Sequence, residues 1–205
     1  PRFSAFVHTP SRDQAWSYLQ SWPRWSQTCV HIWGPKGAGK TYLAQLWGQR
    51  ARSFWITRWP VSVQDNTNYI WDHPTWSADD EESIFHFYNS IQGQNISFLT
   101  LSRQPWSRHH FSLPDLASRL RSIMAINIDL PDDQTIMRLC VERLRDWNLQ
   151  VSSLGLKEIF YHIHRSFPAI HQTIDELAKQ SLIQKVPLSP PHIRQFFAHY
   201  KPSNF

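Results

Sequence analysis

The sequence predicts an α/β fold: a five-stranded parallel sheet covered by helices, followed by a small all-helical domain. Three observations carry this. Five short apolar runs alternate with helical patterns: Cys29 to Gly34, Ser53 to Trp59, Asn68 to His73, Ser97 to Ser102 and Ala125 to Leu130. Strands alternating with helices imply a parallel sheet with both faces covered. No strand pattern remains after Leu130, where Pro131-Asp132-Asp133 opens a purely helical stretch. Finally, residues 34 to 41 read GPKGAGKT, between a strand-like run ending at Trp33 and a helix-like run, Tyr42 to Trp47.

Each element follows from local signals. Helices are expected at Ser11 to Leu19, Lys40 to Ala51 and Asp80 to Ser90, with a shorter one over Leu113 to Leu120. The acidic group Asp79-Asp80-Glu81-Glu82 reads as the first turn of the third helix, where negative charge meets the positive dipole end. Asp132 or Asp133 can cap a helix reaching Trp147. Ser152-Ser153 precede another over Leu154 to His164, and Pro168 starts a third to Gln180. Ser189-Pro190-Pro191 start the last, to Tyr200. The reading is a nucleotide-binding domain over residues 1–130 and a helical domain over 131–205.

GPKGAGKT is a complete phosphate-binding loop of the form G-x-x-x-x-G-K-[ST], in the strand–loop–helix setting it needs. Gly34, Gly37 and Gly39 let backbone N–H groups turn inward around phosphate oxygens. Lys40 would reach the β- and γ-phosphates, and Thr41 would offer its hydroxyl to Mg²⁺. The helix that follows points its positive end at the same anion. Asp72, at the end of the third strand, is the candidate to hold the Mg²⁺ water shell. The next residue, where a hydrolytic site usually has a second carboxylate, is His73, which favours a poor hydrolase. Ser102, ending the fourth strand, is the candidate to face the γ-phosphate, with Thr100 the alternative if the register slips by two. Arg119, after a capped turn, can reach a neighbour's nucleotide or be an ordinary surface arginine.

Composition adds bounds. With 205 residues, 41% hydrophobic, the chain can bury the core of one ordinary domain or two small ones. A formal charge of +5 suits acidic partners and equally a normal solvated surface. Cys29 and Cys140 sit in apolar contexts, as buried thiols of a reducing cytoplasm would. No apolar run is long enough for a membrane span, and no signal peptide is seen. The eleven tryptophans are scattered; most read as core, with Trp22 and Trp25 beside Pro23 as exposed contact candidates.

The loop, the single-Asp third strand and above all Leu113-Pro-Asp-Leu-Ala-Ser-Arg119-Leu resemble the AAA+ family of the bacterial replication initiator DnaA. Within it, the chain is most similar to the Hda-type regulatory inactivators, in their alphaproteobacterial form. Phe6-Val7-His-Thr-Pro10-Ser11 resembles the family's adenine-wrapping segment. The resemblance covers nearly the whole chain. It implies a base with sheet order 5-1-4-3-2, a helical lid, and ATP or ADP with Mg²⁺ held by Thr41 and Asp72. The implied nucleotide contacts are Phe6, Val7, Gly34, Pro35, Lys36, Gly37, Ala38, Gly39, Lys40, Thr41 and Tyr42. Pro168 occupies the family's sensor 2 arginine position, so Arg165, three residues earlier, is the substitute. The segment between the second and third strands is short, so a helix usual in the family is missing.

The implied function is regulatory: loaded on the DNA sliding clamp, such a protein promotes hydrolysis of ATP on DnaA, with Arg119 acting in trans. The clamp-binding peptide would precede residue 1, and a homodimer is one assembly to consider. The initiator's helix-turn-helix domain is absent, so sequence-specific DNA binding is not expected. Two other classes stay open. One is an autonomous P-loop ATPase or kinase. The other is a helicase-loader-type adaptor for single-stranded DNA, for which Arg103, Trp106, Arg108, His109 and His110 form the basic, aromatic cluster.

Overall fold

A computed structural model describes residues 7–72 and 75–200. Its strands are β1 (Cys29–Trp33), β2 (Phe54–Trp55), β3 (Tyr69–Asp72), β4 (Phe98–Ser102) and β5 (Met124–Asn127). All pairings are parallel, in the order β2-β3-β4-β1-β5, the expected order seen from the other edge. The helices are α1 (Pro10–Gln20), α2 (Lys40–Ala51), α3 (Asp80–Ile91), α4 (Pro114–Ser122), α5 (Asp133–Asp146), α6 (Ser153–His162), α7 (Phe167–Gln184) and α8 (Pro190–His199).

The chain divides into two compact units. One contains the residues up to 35 together with 39–129; the other contains 36–38 and the residues from 130 onward. In the first, strand register sorts the side chains. Cys29, Phe98 and Tyr69 lie side by side across the central strands, as do Val30, Leu99 and Ile70. Because successive side chains alternate faces, Cys29, Tyr69, Trp71 and Phe98 share one face. They pack with Ile84, Phe87, Leu116 and Leu120 of α3 and α4. Val30, Ile32, Ile70, Leu99 and Leu101 fill the other face and are fully buried. There α2 packs on β3 and β4, and α1 on α2 and β5.

β2 is shorter than expected. Past Trp55, one more rung joins it to β3, from Ile56 N–H to the Ile70 carbonyl at 2.8 Å. The next buried side chain is Trp59, not residue 58. A spacing of three breaks the two-residue period of a strand, so the chain leaves the sheet to bury Trp59 against Trp71 and Phe87. Trp22 and Trp25 are half-buried, with Trp25 stacked on Trp47 at 4.9 Å and Trp22 meeting it edge-on. Both cysteines are buried and free, and burial pushes each thiol up to about 12. No helix among the described residues is long and apolar enough to cross a membrane.

In the second unit, caps start the helices. Asp132 accepts from Thr135 N–H at 2.8 Å, Ser152 from Gly155 N–H at 3.1 Å, and Ser166 from Ala169 N–H at 3.4 Å. α5 and α7 are joined by a two-pronged ion pair, Arg143 to Asp175, with both N–O distances 2.7 Å. Trp147 Nε1–H donates to the same carboxylate at 2.8 Å. Burial raises the Asp175 pKa, but the hydrogen bonds from Arg143 and Trp147 outweigh it, and the carboxyl lies below its usual value. A depressed folded pKa stabilises above the unfolded value, about 3.9, and that contribution fades as pH falls through the lower folded value. Asp175→Ala should therefore cost about 2 kcal/mol at pH 7, given a pair that is only partly buried. In chemical denaturation the gap from wild type should narrow at pH 3.

Candidate functional site

β1 delivers the chain to Gly34, whose N–H donates to the Ser102 carbonyl at 3.2 Å. Gly34 has φ +153°, and a Cβ there would stand 2.0 Å from the Ile128 carbonyl oxygen. The loop end of β1 therefore accepts only glycine. Gly39 then caps α2 in the left-handed region, with φ +95° and no side-chain cap. The first N–H groups of α2 thus have no capping side chain to satisfy them, as an anion site requires.

Lys40 is 3% exposed. Its ammonium donates to the Gly34 and Pro35 carbonyls at 2.8 and 3.0 Å. Burial lowers its pKa, Asp72 partly restores it, and the nearby charge of Arg103 lowers it further. Neutral carbonyls are weak partners for a buried cation, and a phosphate oxygen would be a stronger one. The loop therefore fits an anionic group. Thr41 Oγ1–H donates to Asp72 Oδ2 at 2.7 Å, tying the first turn of α2 to the end of β3. A hydroxyl and a carboxylate suit Mg²⁺. Among the described residues no cluster of three or more His, Cys, Asp or Glu could hold a metal alone. Mg²⁺ here would share its coordination with phosphate and water, as it commonly does.

The other expected site residues are placed as follows. Lys36, Gly37 and Ala38 fall in the second unit, where the Gly37 carbonyl accepts from Phe167 N–H at 3.1 Å. Val7 is buried and Tyr42 half-buried. Phe6 and His73 lie outside the described residues.

Ser102 differs from expectation. Leu101 pairs with Asp72 across the sheet, so Ser102, one residue on, projects from the opposite face. Its hydroxyl donates to the Gln104 carbonyl and lies 3.2 Å from His31 Nε2. Thr100, the alternative, bonds His31 Nδ1 at 2.8 Å on that same face. Both hydroxyls belong to a buried network closed by Trp106, which stacks on His31 at 4.6 Å. Burial pushes the His31 imidazole down to about 4, so it is neutral at ordinary pH. Arg165, the expected substitute for the sensor 2 arginine, lies in the second unit. It forms an ion pair with Asp133 and lies 5.3 Å over the Phe160 ring.

Arg119 stands exposed on α4, with its guanidinium 5.2 Å over the Phe85 ring. Among the described residues it makes no ion pair. Trp106, the aromatic of the presumed single-strand cluster, is 2% exposed and cannot stack on a base. Arg12 is buried, which its sequence setting does not suggest. It lies in the first turn of α1, where Thr9 Oγ1 accepts its backbone N–H at 3.4 Å, and it is 3% exposed.

No protein-family model matches this chain. No curated protein matches it either. Solved structures do match. Domain III of the replication initiation protein DnaA from Thermotoga maritima is 12% identical, with a TM-score of 0.71 over 93% of this chain and 92% of that one. The replication initiator DnaA bound to AMPPCP and single-stranded DNA is 14% identical, with a TM-score of 0.67 over 88% and 66%. The Thermotoga maritima RuvB Holliday junction branch migration motor is 12% identical, with a TM-score of 0.71 over 94% and 70%. This chain thus spans just under two thirds of that longer DnaA chain, 66%. Sheet order, loop and helical second unit together give this chain the AAA+ fold seen in DnaA domain III and RuvB.

Proposed function

We propose that this chain is a nucleotide-binding regulator of replication initiation. It holds ATP or ADP with Mg²⁺ at residues 34–41 and promotes hydrolysis of ATP bound to DnaA, with Arg119 acting in trans. One observation carries the reading: a phosphate loop with Lys40 and the Thr41–Asp72 pair already set, in a protein whose Arg119 is exposed and makes no ion pair among the described residues. The DnaA structure with AMPPCP supports the ligand class. The segment Leu113 to Leu120 supports the direction of action.

In this reading Lys40 leaves the loop carbonyls to neutralise phosphate charge, and the N–H groups at the start of α2 take up the remaining oxygens. Thr41 and Asp72 hold Mg²⁺, which supplies charge neutralisation across the phosphates. The DNA sliding clamp is the proposed platform and the cytoplasm the proposed compartment. Assembly as a homodimer is a further option.

The protein's own hydrolysis should be slow. His73 follows Asp72 where a carboxylate would orient water, and Ser102 is committed to the His31 network. Isolated protein should turn over ATP well below ~1 s⁻¹, the low end of ordinary enzymes. Added to DnaA with the clamp and DNA, it should accelerate loss of DnaA-bound ATP. Fast turnover alone with no effect on DnaA would favour an autonomous ATPase.

A further inference from the structure

α4, the helix that carries Arg119, has no side-chain cap of its own. Its N-cap is Leu113 and its first residue is Pro114. In a capping box, a Glu at the third helical position reaches back to the N-cap N–H. That position in α4 is Leu116, which is fully buried. Glu81 of α3 takes the role instead. Its carboxylate accepts the Leu113 N–H at 2.6 Å, the Ser112 N–H at 3.1 Å and the Trp76 Nε1–H at 3.4 Å. Glu81 is 4% exposed, the one buried carboxylate among the described residues. No Lys, Arg or His among them pairs with it. Its charge is met by these N–H groups and by the positive end of α4.

Phe85 lies four residues further along α3, on the same face as Glu81. Its ring carries the Arg119 guanidinium at 5.2 Å. Ile84 of α3 and Leu116 and Leu120 of α4 join the same buried core. Arg119 makes no ion pair among the described residues, so no carboxylate there sets its direction. The start of its helix and the Phe85 ring set it, and both are held by α3. An exposed arginine that must meet a phosphoryl group on another molecule needs such a base. A misplacement of ~1 Å can cost about 10²-fold in rate.

We infer that α3 aims Arg119: Glu81 fixes the start of α4, and Phe85 seats the guanidinium. Both are positioning residues that act through Arg119. The inference rests on Arg119 acting in trans, and it assigns roles to two residues outside the segment Leu113 to Leu120. A cap that served the fold alone would behave differently. Its loss would lower the melting temperature yet leave stimulation intact wherever the variant stays folded.

The test uses the full chain, well below its melting temperature. Hydrolysis of DnaA-bound ATP is followed while this protein is titrated, which separates the maximal rate from the concentration giving half of it. Glu81→Gln keeps the shape, removes the charge and turns an amide NH₂ toward a backbone N–H. Its melting temperature should fall by about 2–4 °C, the loss of a cap in a chain of this size. Amide hydrogen exchange at Leu113 should quicken about 10-fold, the loss of a charge-assisted hydrogen bond. The maximal rate should fall about 10-fold or more, with the protein's own affinity for adenine nucleotide unchanged. Phe85→Leu keeps the apolar bulk without the ring face and should lower the maximal rate about 2- to 5-fold. Phe85→Tyr keeps the face and should act as wild type, and this pair decides the matter if Glu81→Gln does not fold. Full maximal stimulation by folded Glu81→Gln or by Phe85→Leu overturns the inference, as does unchanged exchange at Leu113. So does a matching loss of the protein's own nucleotide affinity, which would place the effect at the loop. If wild type gives no stimulation, the trans role itself fails and takes the inference with it. Normal wild-type stimulation that survives both substitutions sinks the inference alone.

Discussion

Arg119→Ala should abolish the stimulation of ATP hydrolysis on DnaA while leaving this protein folded and able to bind nucleotide. The side chain is exposed on α4, and its guanidinium lies over the Phe85 ring, a contact worth about 0.5–1 kcal/mol at such a site. Its loss cannot unfold the domain. A guanidinium placed on a transferring phosphoryl group contributes about 10³–10⁵ in rate, so stimulation should drop by at least about three orders of magnitude. Arg119→Lys should restore little, since a point charge does not reproduce the two-pronged fork. Arg121, whose guanidinium donates to the His109 carbonyl at 3.4 Å, should matter less. The readout is the rate of conversion of DnaA-bound ATP to ADP with wild-type or variant protein. Full stimulation by Arg119→Ala would remove the arginine from the mechanism.

Gly34→Ala should have the largest effect on stability. The new methyl would sit 2.0 Å from the Ile128 carbonyl oxygen, a backbone atom that cannot swing away. Ile128 is itself anchored, its N–H donating to the Trp33 carbonyl at 2.8 Å. The left-handed φ adds strain for any side chain. Relief requires β5 to shift from β1, or the loop to shift from the Ser102 carbonyl. We expect a loss of about 3–4 kcal/mol, near the top of the range for single substitutions. That corresponds to a fall of about 10 °C in melting temperature for a chain of this size. Calorimetry of the two proteins side by side measures it, and a shift within about 2 °C would mean the close approach is not there.

How much of this was legible in the sequence differs by residue. The bounds of α2, Lys40–Ala51, are those expected, because the glycine cap and the apolar run after it are both local signals. Strand order was legible through the segment around Arg119 and the resemblance it carries. β2 was read too long, because Ile56 and Trp59 are both buried and apolar, and a list of apolar residues does not show that they are three apart on a turning chain. Ser102 was misplaced for a related reason. Strand position gives the residue but not its face, and the face follows from pairing with Asp72 on a strand about 30 residues away. His31 and Trp106 carry no sequence signal of their network, which forms only when β1, β4 and the turn after β4 meet. Arg12 was hidden most completely. In the segment Thr-Pro-Ser-Arg-Asp it reads as the solvated first turn of a capped helix, and only packing against Gly39 reveals the buried charge.

The most direct test of the account is adenine nucleotide affinity in Lys40→Ala against wild type. Among the described residues the Lys40 ammonium donates to the Gly34 and Pro35 carbonyls, so its removal should leave the fold standing while deleting the main cation of the loop. Titration of a fluorescent adenine nucleotide should show wild-type binding that saturates and depends on Mg²⁺. The variant should bind at least about a hundredfold more weakly, the loss of a charge-assisted contact to phosphate. Equal affinity in the two proteins, with both folded by circular dichroism, would contradict the assignment of residues 34–41 as the nucleotide site.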